Sequence, residues 1–467
     1  MGSLTSLLSI ARQALANSQT AIDATGTNIS NQHTVGYTRK TAVFAESDTV
    51  DVGGSLLGSG ATVTIVSQRD RILEQRMQQQ TQADGQTSAR LTALQSVDSI
   101  FQTTTSSADA SGIGSSLDAF FNSFSALEAN PTDGATRQAV LTSAQTFATA
   151  IQAASSQLTS QATDLGQQVS GSVAQVNQLT SQIAALNGKI SSTSPDADAG
   201  DLEDQRQELI TQLSGLVGLS QSSTANNGIA LTTTNGTPLV GGNISYNLTA
   251  QNVGGSVHVF GQQNGVSTDI TSALSGGSIA GDIQARDVDI ASAQTSLDTL
   301  AFDVATAVNT QNSAGKDENG AVGGNIFGVP SSASGAAASL TVSLTDPAGI
   351  AAASGTDGAG GSTNATALAA LGSGKIVGGE TPASFFGSFL TQLGTTISGA
   401  TTDETVTAAE LTQATAQRNA LSGVSLDEEA SNLTEYQRSY QAAAKVFSIV
   451  DEMFASAINL GVESAVS

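Results

Sequence analysis

The two ends of the chain carry narrow apolar stripes, and these restrict the fold more than any other feature. Near the start, Leu4, Leu8, Ala11, Leu15, Ser18, Ile22, Thr25 and Ile29 alternate at spacings of four and three, the heptad pattern that keeps one thin seam along a helix. Near the end, Leu433, Tyr436, Tyr440, Ala443, Phe447, Val450, Phe454 and Ala457 repeat it, with Leu426 one heptad earlier. Ser425 and Glu428 fit a capping box, Asp427 to Glu429 suit the positive end of the helix dipole, and Gly461 is placed to stop the helix. The pattern predicts a helix from about Leu426 to Leu460, roughly 50 Å long at 1.5 Å per residue. Each apolar side chain of such a seam contributes roughly 1.5 to 3 kcal/mol when fully buried, but only if neighbours cover the outer faces. The two strips are therefore expected to pair with one another and to be completed by polymerisation.

Between the ends, a long helical block runs from Phe147, Ile151, Ala154 and Leu158 into Leu165, Val169, Val176, Leu179, Ile183, Leu186 and Ile190. Further helices are expected around Ile72 to Phe101, Leu117 to Leu127, Asp287 to Asn309, and onward from Pro382. From Ser220 to Asp282 the texture changes to short runs such as Gly228 to Leu231, Pro238 to Val240, Ile244 to Leu248 and Val257 to Phe260. Asn-Gly and Gly-Gly turns separate them. The stretch ending at Val52 and that from Ala61 to Val66 read as a hairpin around the loop Gly53 to Gly60, and Ala314 to Asn364 as irregular. The fold class is thus mainly α with an inserted antiparallel β domain: an elongated chain with its terminal helices paired as a coiled coil and a long-helix bundle as its core. The expected division is a terminal domain of 1–38 with 425–467, a helical core of 39–219 with 283–424, and a β domain of 220–282.

Composition removes several function classes. With 40 acidic against 16 basic residues the net charge is −24, which repels phosphate backbones and anionic lipid, so neither nucleic acid nor membrane is an expected partner. There is no cysteine, hence no thiolate or disulfide chemistry. His33 and His258 are the only histidines, and neither stands at metal-ligand spacing from another ligand. Asp317-Glu318-Asn319-Gly320 lacks the alternating oxygen ligands of a calcium loop, no Gly-Lys-Ser/Thr follows the glycine runs, and no Gly-x-Ser-x-Gly occurs. The residues offer no catalytic, cofactor or metal set, and a non-enzymatic role is expected.

Asn28-Ile-Ser-Asn31-Gln-His-Thr-Val-Gly36-Tyr37-Thr-Arg39 resembles the N-terminal segment shared by axial flagellar proteins. Gly423-Val-Ser-Leu426-Asp-Glu428-Glu429-Ala430, followed by Tyr436-Gln437 and Tyr440-Gln441-Ala442, is similar to the C-terminal motif of the hook-associated protein 1 family within that group. Asp201 to Leu209 and Thr345 to Ala351 look like two internal segments of the same family. The resemblance makes Asn28, Asn31, Gly36, Tyr37, Gly423, Leu426, Glu428 and Glu429 the family motif. It implies a structural subunit of the flagellum that joins hook to filament by helical self-assembly, exported to the outside without a cleaved signal peptide. The implied partners are further copies of the chain, hook protein, hook-associated protein 3, and a cytoplasmic export chaperone at the C-terminal helix. The assembly interface would comprise Leu4, Leu8, Leu15, Ile22 and Ile29 with Leu433, Tyr436, Tyr440, Phe447, Val450 and Phe454. Two other readings stay open: another axial subunit, such as hook protein or hook-associated protein 3, or a scaffold displaying a binding or hydrolytic β domain.

Overall fold

The computed structural model of the chain describes residues 2–46, 49–52, 55–58, 60–102, 112–193, 199–263, 265–328, 330–358 and 360–463. Helix α1 (Gly2–Ser30) leads through a tight turn, with Gly36 at φ +79°, into an antiparallel ribbon. The ribbon pairs β1 (Lys40–Glu46) with β4 (Ala61–Ser67) over seven residues, and β2 (Thr49–Val52) pairs with β3 (Ser55–Gly58) beyond it. A hairpin forms, but with other partners than expected: Ala61 to Val66 pairs with β1, and the stretch ending at Val52 pairs with β3 inside what reads as a loop, because the chain continues the ladder almost to its tip. The Asp70 carboxylate accepts the N–H groups of Ile72 and Leu73 at 2.8 and 3.1 Å and so starts α2 (Arg71–Gln102).

Two stacked cores follow from one helix. After α3 (Ile113–Ala129), Asp133 caps α4 (Gly134–Ser192) by accepting from Ala135 and Thr136. With no proline in its 59 residues α4 runs unbroken for roughly 88 Å. Its first half buries Val140, Phe147, Ile151, Leu158 and Leu165 in a core that contains Phe120, Phe124 and Phe327, the Phe120 and Phe327 rings meeting edge to face at 5.3 Å. Its second half buries Val169, Val173, Val176 and Ile183 in another, built with α5 (Gly200–Leu216) and the β insertion.

The insertion holds two antiparallel sheets. One is ordered β5 (Leu219–Ser223), β6 (Ile229–Thr233), β7 (Pro238–Gly241), β8 (Ile244–Ser245); the other joins β9 (Thr249–Val253), β10 (Ser256–Gln263) and β11 (Val266–Asp269). Asparagines of α4 pin it in place. Asn177 bonds both the N–H and the C=O of Leu248 at 2.8 Å, and Asn187 donates to Ile229 and Gly242.

The helix expected from Asp287 begins earlier, as α6 (Gly277–Gln284), passes through a π-helical turn (Ala285–Ile290) and continues as α7 (Ala291–Ala314). The reason is tertiary. A Cβ on Gly277 or Gly281 would stand 2.3 Å from the Leu216 or Gln86 backbone, so these glycines permit helices to touch where sequence alone suggests a turn. The irregular region contributes α8 (Ala336–Ser339) and the short pair β12 (Phe327–Gly328) and β13 (Thr341–Val342), then α9 (Thr363–Ala370). The Thr381 hydroxyl caps α10 (Pro382–Ser422), which lies along α2 and ends at Gly423. α11 (Leu426–Glu463) passes through Gly461 rather than stopping there. It packs beside α1, so the fold is mainly α with an inserted antiparallel β domain and paired terminal helices.

Candidate assembly site

The end of α1 touches the start of α11, so the two run antiparallel. On α1, Leu4, Leu8, Leu15, Ile22 and Ile29 are half-buried, while the small residues Ala11, Ser18, Ala21, Ala24 and Thr25 are buried between them. On α11, Val450 is buried, Leu433, Tyr436, Phe447 and Phe454 are half-buried, and Tyr440 is 38% exposed. Leu426 is 45% exposed, and Val446, Ile449 and Met453 lie open to about the same degree. One antiparallel partner therefore covers only part of each strip.

Register comes from a polar cluster in which the two sequence motifs meet. Asn28, fully buried, donates from Nδ2 to Glu429 Oε2 at 3.0 Å and to Lys40 O at 2.7 Å. Its Oδ1 accepts from Tyr37 Oη at 2.8 Å and Lys40 N at 2.9 Å, which uses both faces of the amide. Glu429, 1% exposed, takes Arg39 Nε on its other oxygen at 2.7 Å, and Arg39 Nη2 reaches Glu428 at 2.8 Å. A carboxylate this buried needs such partners, because an unpaired one costs several kcal/mol. Burial works against the Arg39 charge, but hydrogen bonds to Glu428 and the nearby Glu429 carboxylate outweigh it and raise its pKa. The Tyr37 hydroxyl is raised too, by burial first and then by Asp201, Asp204 and Glu429.

The other motif residues frame this cluster. Asn31 closes α1, donating to Thr27 O at 3.0 Å and accepting from Thr34. Gly36 sits at φ +79°, a left-handed conformation that a side chain would strain, and faces the Glu208 carboxylate. Gly423 ends α10, its N–H bonded to Asn419 O at 2.9 Å. Several further participants lie outside the strips and the two terminal motif sets. Arg418 donates to Gly36 O at 2.8 Å, Thr38 N–H bonds Asp204 at 3.0 Å, and Lys40 pairs with Asp201 at 2.6 Å. Arg69 gathers Glu203, Asp204 and Glu74 one layer deeper, where burial lifts the Glu74 carboxyl to about 6 despite Arg69 and Arg418. The advance signs of this layer are the family-like segment Asp201 to Leu209 and its concentration of acids in a chain only 12% charged. Beside it a groove of about 900 Å³ opens between the 31–37 turn, α5 and the end of α10. The chemistry available is that of fixing one chain end against the other. Among the described residues no group of three or more His, Cys, Asp or Glu side chains is arranged to hold a metal ion.

Comparison with known proteins places this arrangement. The flagellar hook-associated protein FlgK helical domain matches residues 94–327, half of the chain, and the flagellar basal body rod FlgEFG protein C-terminal family matches residues 416–460. Flagellar hook-associated protein 1 of Bacillus subtilis is 29% identical over 97% of both chains. Its Escherichia coli namesake is 30% identical over 70% of this chain, and the match spans 60% of that protein's length. In structure, the flagellar hook junction protein FlgK of Burkholderia pseudomallei is similar at a TM-score of 0.66 with 18% identity, over 74% of this chain and all of that one. With half its length matched by the family's helical domain, in the region that builds both cores, the chain belongs to the flagellar hook-associated protein FlgK family.

Proposed function

We propose that the chain is a non-enzymatic structural subunit of the bacterial flagellum that joins hook to filament by helical self-assembly through α1 and α11. The observation that carries this reading is the unfinished seam. Leu4, Leu8, Leu15, Ile22, Ile29, Leu433, Tyr436, Phe447 and Phe454 all remain half-buried after the two helices have paired. Completing their burial releases roughly a further 1 kcal/mol per side chain, a driving force that only neighbouring chains can supply. The polar cluster then acts as the fixed base that holds both helices at one angle.

On this reading the terminal helices with 1–38 and 425–467 form the polymerisation domain, 39–219 with 283–424 the helical core, and 220–282 the inserted β domain, whose end from Gly277 onward already belongs to α6. The partners are further copies, hook protein on one side and hook-associated protein 3 on the other, with a cytoplasmic chaperone on α11 before export by a route without a cleaved signal. The name hook-associated protein 1, carried by the B. subtilis and E. coli relatives, supports a place at the hook. The test is removal of residues after Tyr440. Motility and incorporation into flagella should be lost, and chaperone capture with them, while helical circular dichroism of the central cores persists. A truncated chain that still restores motility refutes the reading.

A further inference from the structure

The β1–β4 ribbon has two open edges, and its hydrogen-bond phase shows which backbone groups they present. Gln68 N–H bonds Arg39 O at 2.8 Å, so the pairs 41/66, 43/64 and 45/62 face inward, and 40/67, 42/65, 44/63 and 46/61 turn their N–H and C=O outward. α1 closes two opposite corners of this ladder. Asn28 takes both outward groups of Lys40 on the β1 edge, and Asn17 donates to Ala61 O on the β4 edge at the other end. The helix thus crosses beneath the ribbon diagonally. Among the described residues, no hydrogen bond reaches the outward groups of Ala42, Phe44 and Glu46 on β1 or of Val63 and Ile65 on β4.

Natural sheets protect such edges with charge, proline or a bulge. β4 (Ala61–Ser67) has none of these: it contains no charged residue and no proline, and its seven pairs with β1 run without a register shift. An unprotected β-rich edge is a pairing surface. Its geometry selects the partner. Chains set side by side in one orientation bring the β4 edge of one against the β1 edge of the next, and because β1 and β4 are antiparallel within a chain, the new pair is antiparallel too. The free backbone spans Ala42 to Glu46 on the β1 edge and Val63 to Ile65 on the β4 edge, and the contact repeats without limit around a layer.

We infer that the β1–β4 ribbon is a second, backbone-mediated interface between copies of this chain, in which the β4 edge of one copy hydrogen-bonds the β1 edge of its neighbour and forms a continuous antiparallel belt outside the α1/α11 seam. This rests on the assembly reading above, but it uses different groups. The cysteine-free sequence makes the test direct. Chains carrying Ala42→Cys and chains carrying Ile65→Cys are produced together in flagellated cells lacking the native gene, and isolated flagella are oxidised. Mixed disulfide dimers should form in the flagella and be absent from dilute monomer. Ala42→Pro removes one outward N–H without touching the internal ladder, and should lower incorporation several-fold while the monomer's circular dichroism stays unchanged. If both cysteine chains enter flagella but only like chains cross-link, or none do, and Ala42→Pro incorporates normally, the belt is refuted and helix-mediated assembly stands. If unmodified chain fails to enter flagella at all, both readings fall.

Discussion

Asp282→Asn should flatten the pH dependence of this protein's stability. Asp282 lies on α6, 1% exposed, and its Oδ2 has no hydrogen-bond partner among the described residues. Burial raises the carboxyl from its ordinary 3.8 to about 7, with Arg286 one turn on pulling weakly the other way. Arg286 does not reach it as a partner, because its guanidinium is committed to Asp287 and to Val257 O. The folded chain therefore keeps a proton that the unfolded chain releases near 3.8. This contribution to stability is fully present below that value and is lost as pH rises through about 7. At about 1.4 kcal/mol per pH unit, the wild type should lose about 2 to 3 kcal/mol between about pH 5 and about pH 8.5 through this group. Glu74, raised to about 6, adds a smaller loss of the same sign. An amide at 282 does not titrate, and any fixed cost of burying it shifts both pH values equally. Urea unfolding followed by helical circular dichroism at the two pH values gives the comparison. An equal pH response in wild type and variant would show that Asp282 is not the proton holder.

Three further outcomes follow from the packing. Asn28→Ala strips partners from Glu429, Tyr37 and both backbone groups of Lys40, and should cost about 2 to 4 kcal/mol in the unfolding of the terminal unit, read by urea titration. Gly281→Val forces a side chain against the Gln86 backbone, and should lower stability by about 1 to 3 kcal/mol with a matching fall in melting temperature. Brief trypsin digestion of the monomer should cut first at the exposed Arg12, Arg438 and Lys445, sparing the buried Arg137 and Arg286 and the ion-paired Arg39. Cleavage at Arg39 as fast as at Arg12 would mean that the polar cluster does not hold in solution.

Periodicity in the sequence reveals the helices because each has a face to bury. The stripes at Leu4 to Ile29 and Phe147 to Ile190 become α1 and α4, and the Asn-Gly and Gly-Gly turns mark the β insertion as alternation and turn chemistry require. What stays hidden is set by contacts between residues far apart. Gly276-Gly277 and Gly281 read as turn formers, yet they admit a helix at backbone contact with α2 and α5. Glu429 reads as a favourable charge on a helix dipole, while its partners Asn28 and Arg39 lie some 400 residues earlier. No local pattern encodes that pairing. The nearest signal is asparagine on the buried side of a helix, where propensity disfavours it.

That signal recurs with one meaning. Asn28 on α1, Asn177 on α4 and Asn309 on α7 each bond the N–H and the C=O of a single extended residue, Lys40, Leu248 and Phe327 respectively. A carboxamide carries its donor and its acceptor side by side, so each clamp fastens an extended segment to a helix without a covering sheet. Each of these amides has a second hydrogen to give, and that of Asn28 goes to Glu429. The clamp that orders the ribbon is therefore the same group that ties α11 to α1. Moving either helix would leave a buried carboxylate and a buried amide unpaired, a penalty that singles out one register where an apolar seam tolerates several. The apolar strips are free to stay incomplete, waiting for neighbours, because the polar cluster and not the seam fixes how the chain ends meet.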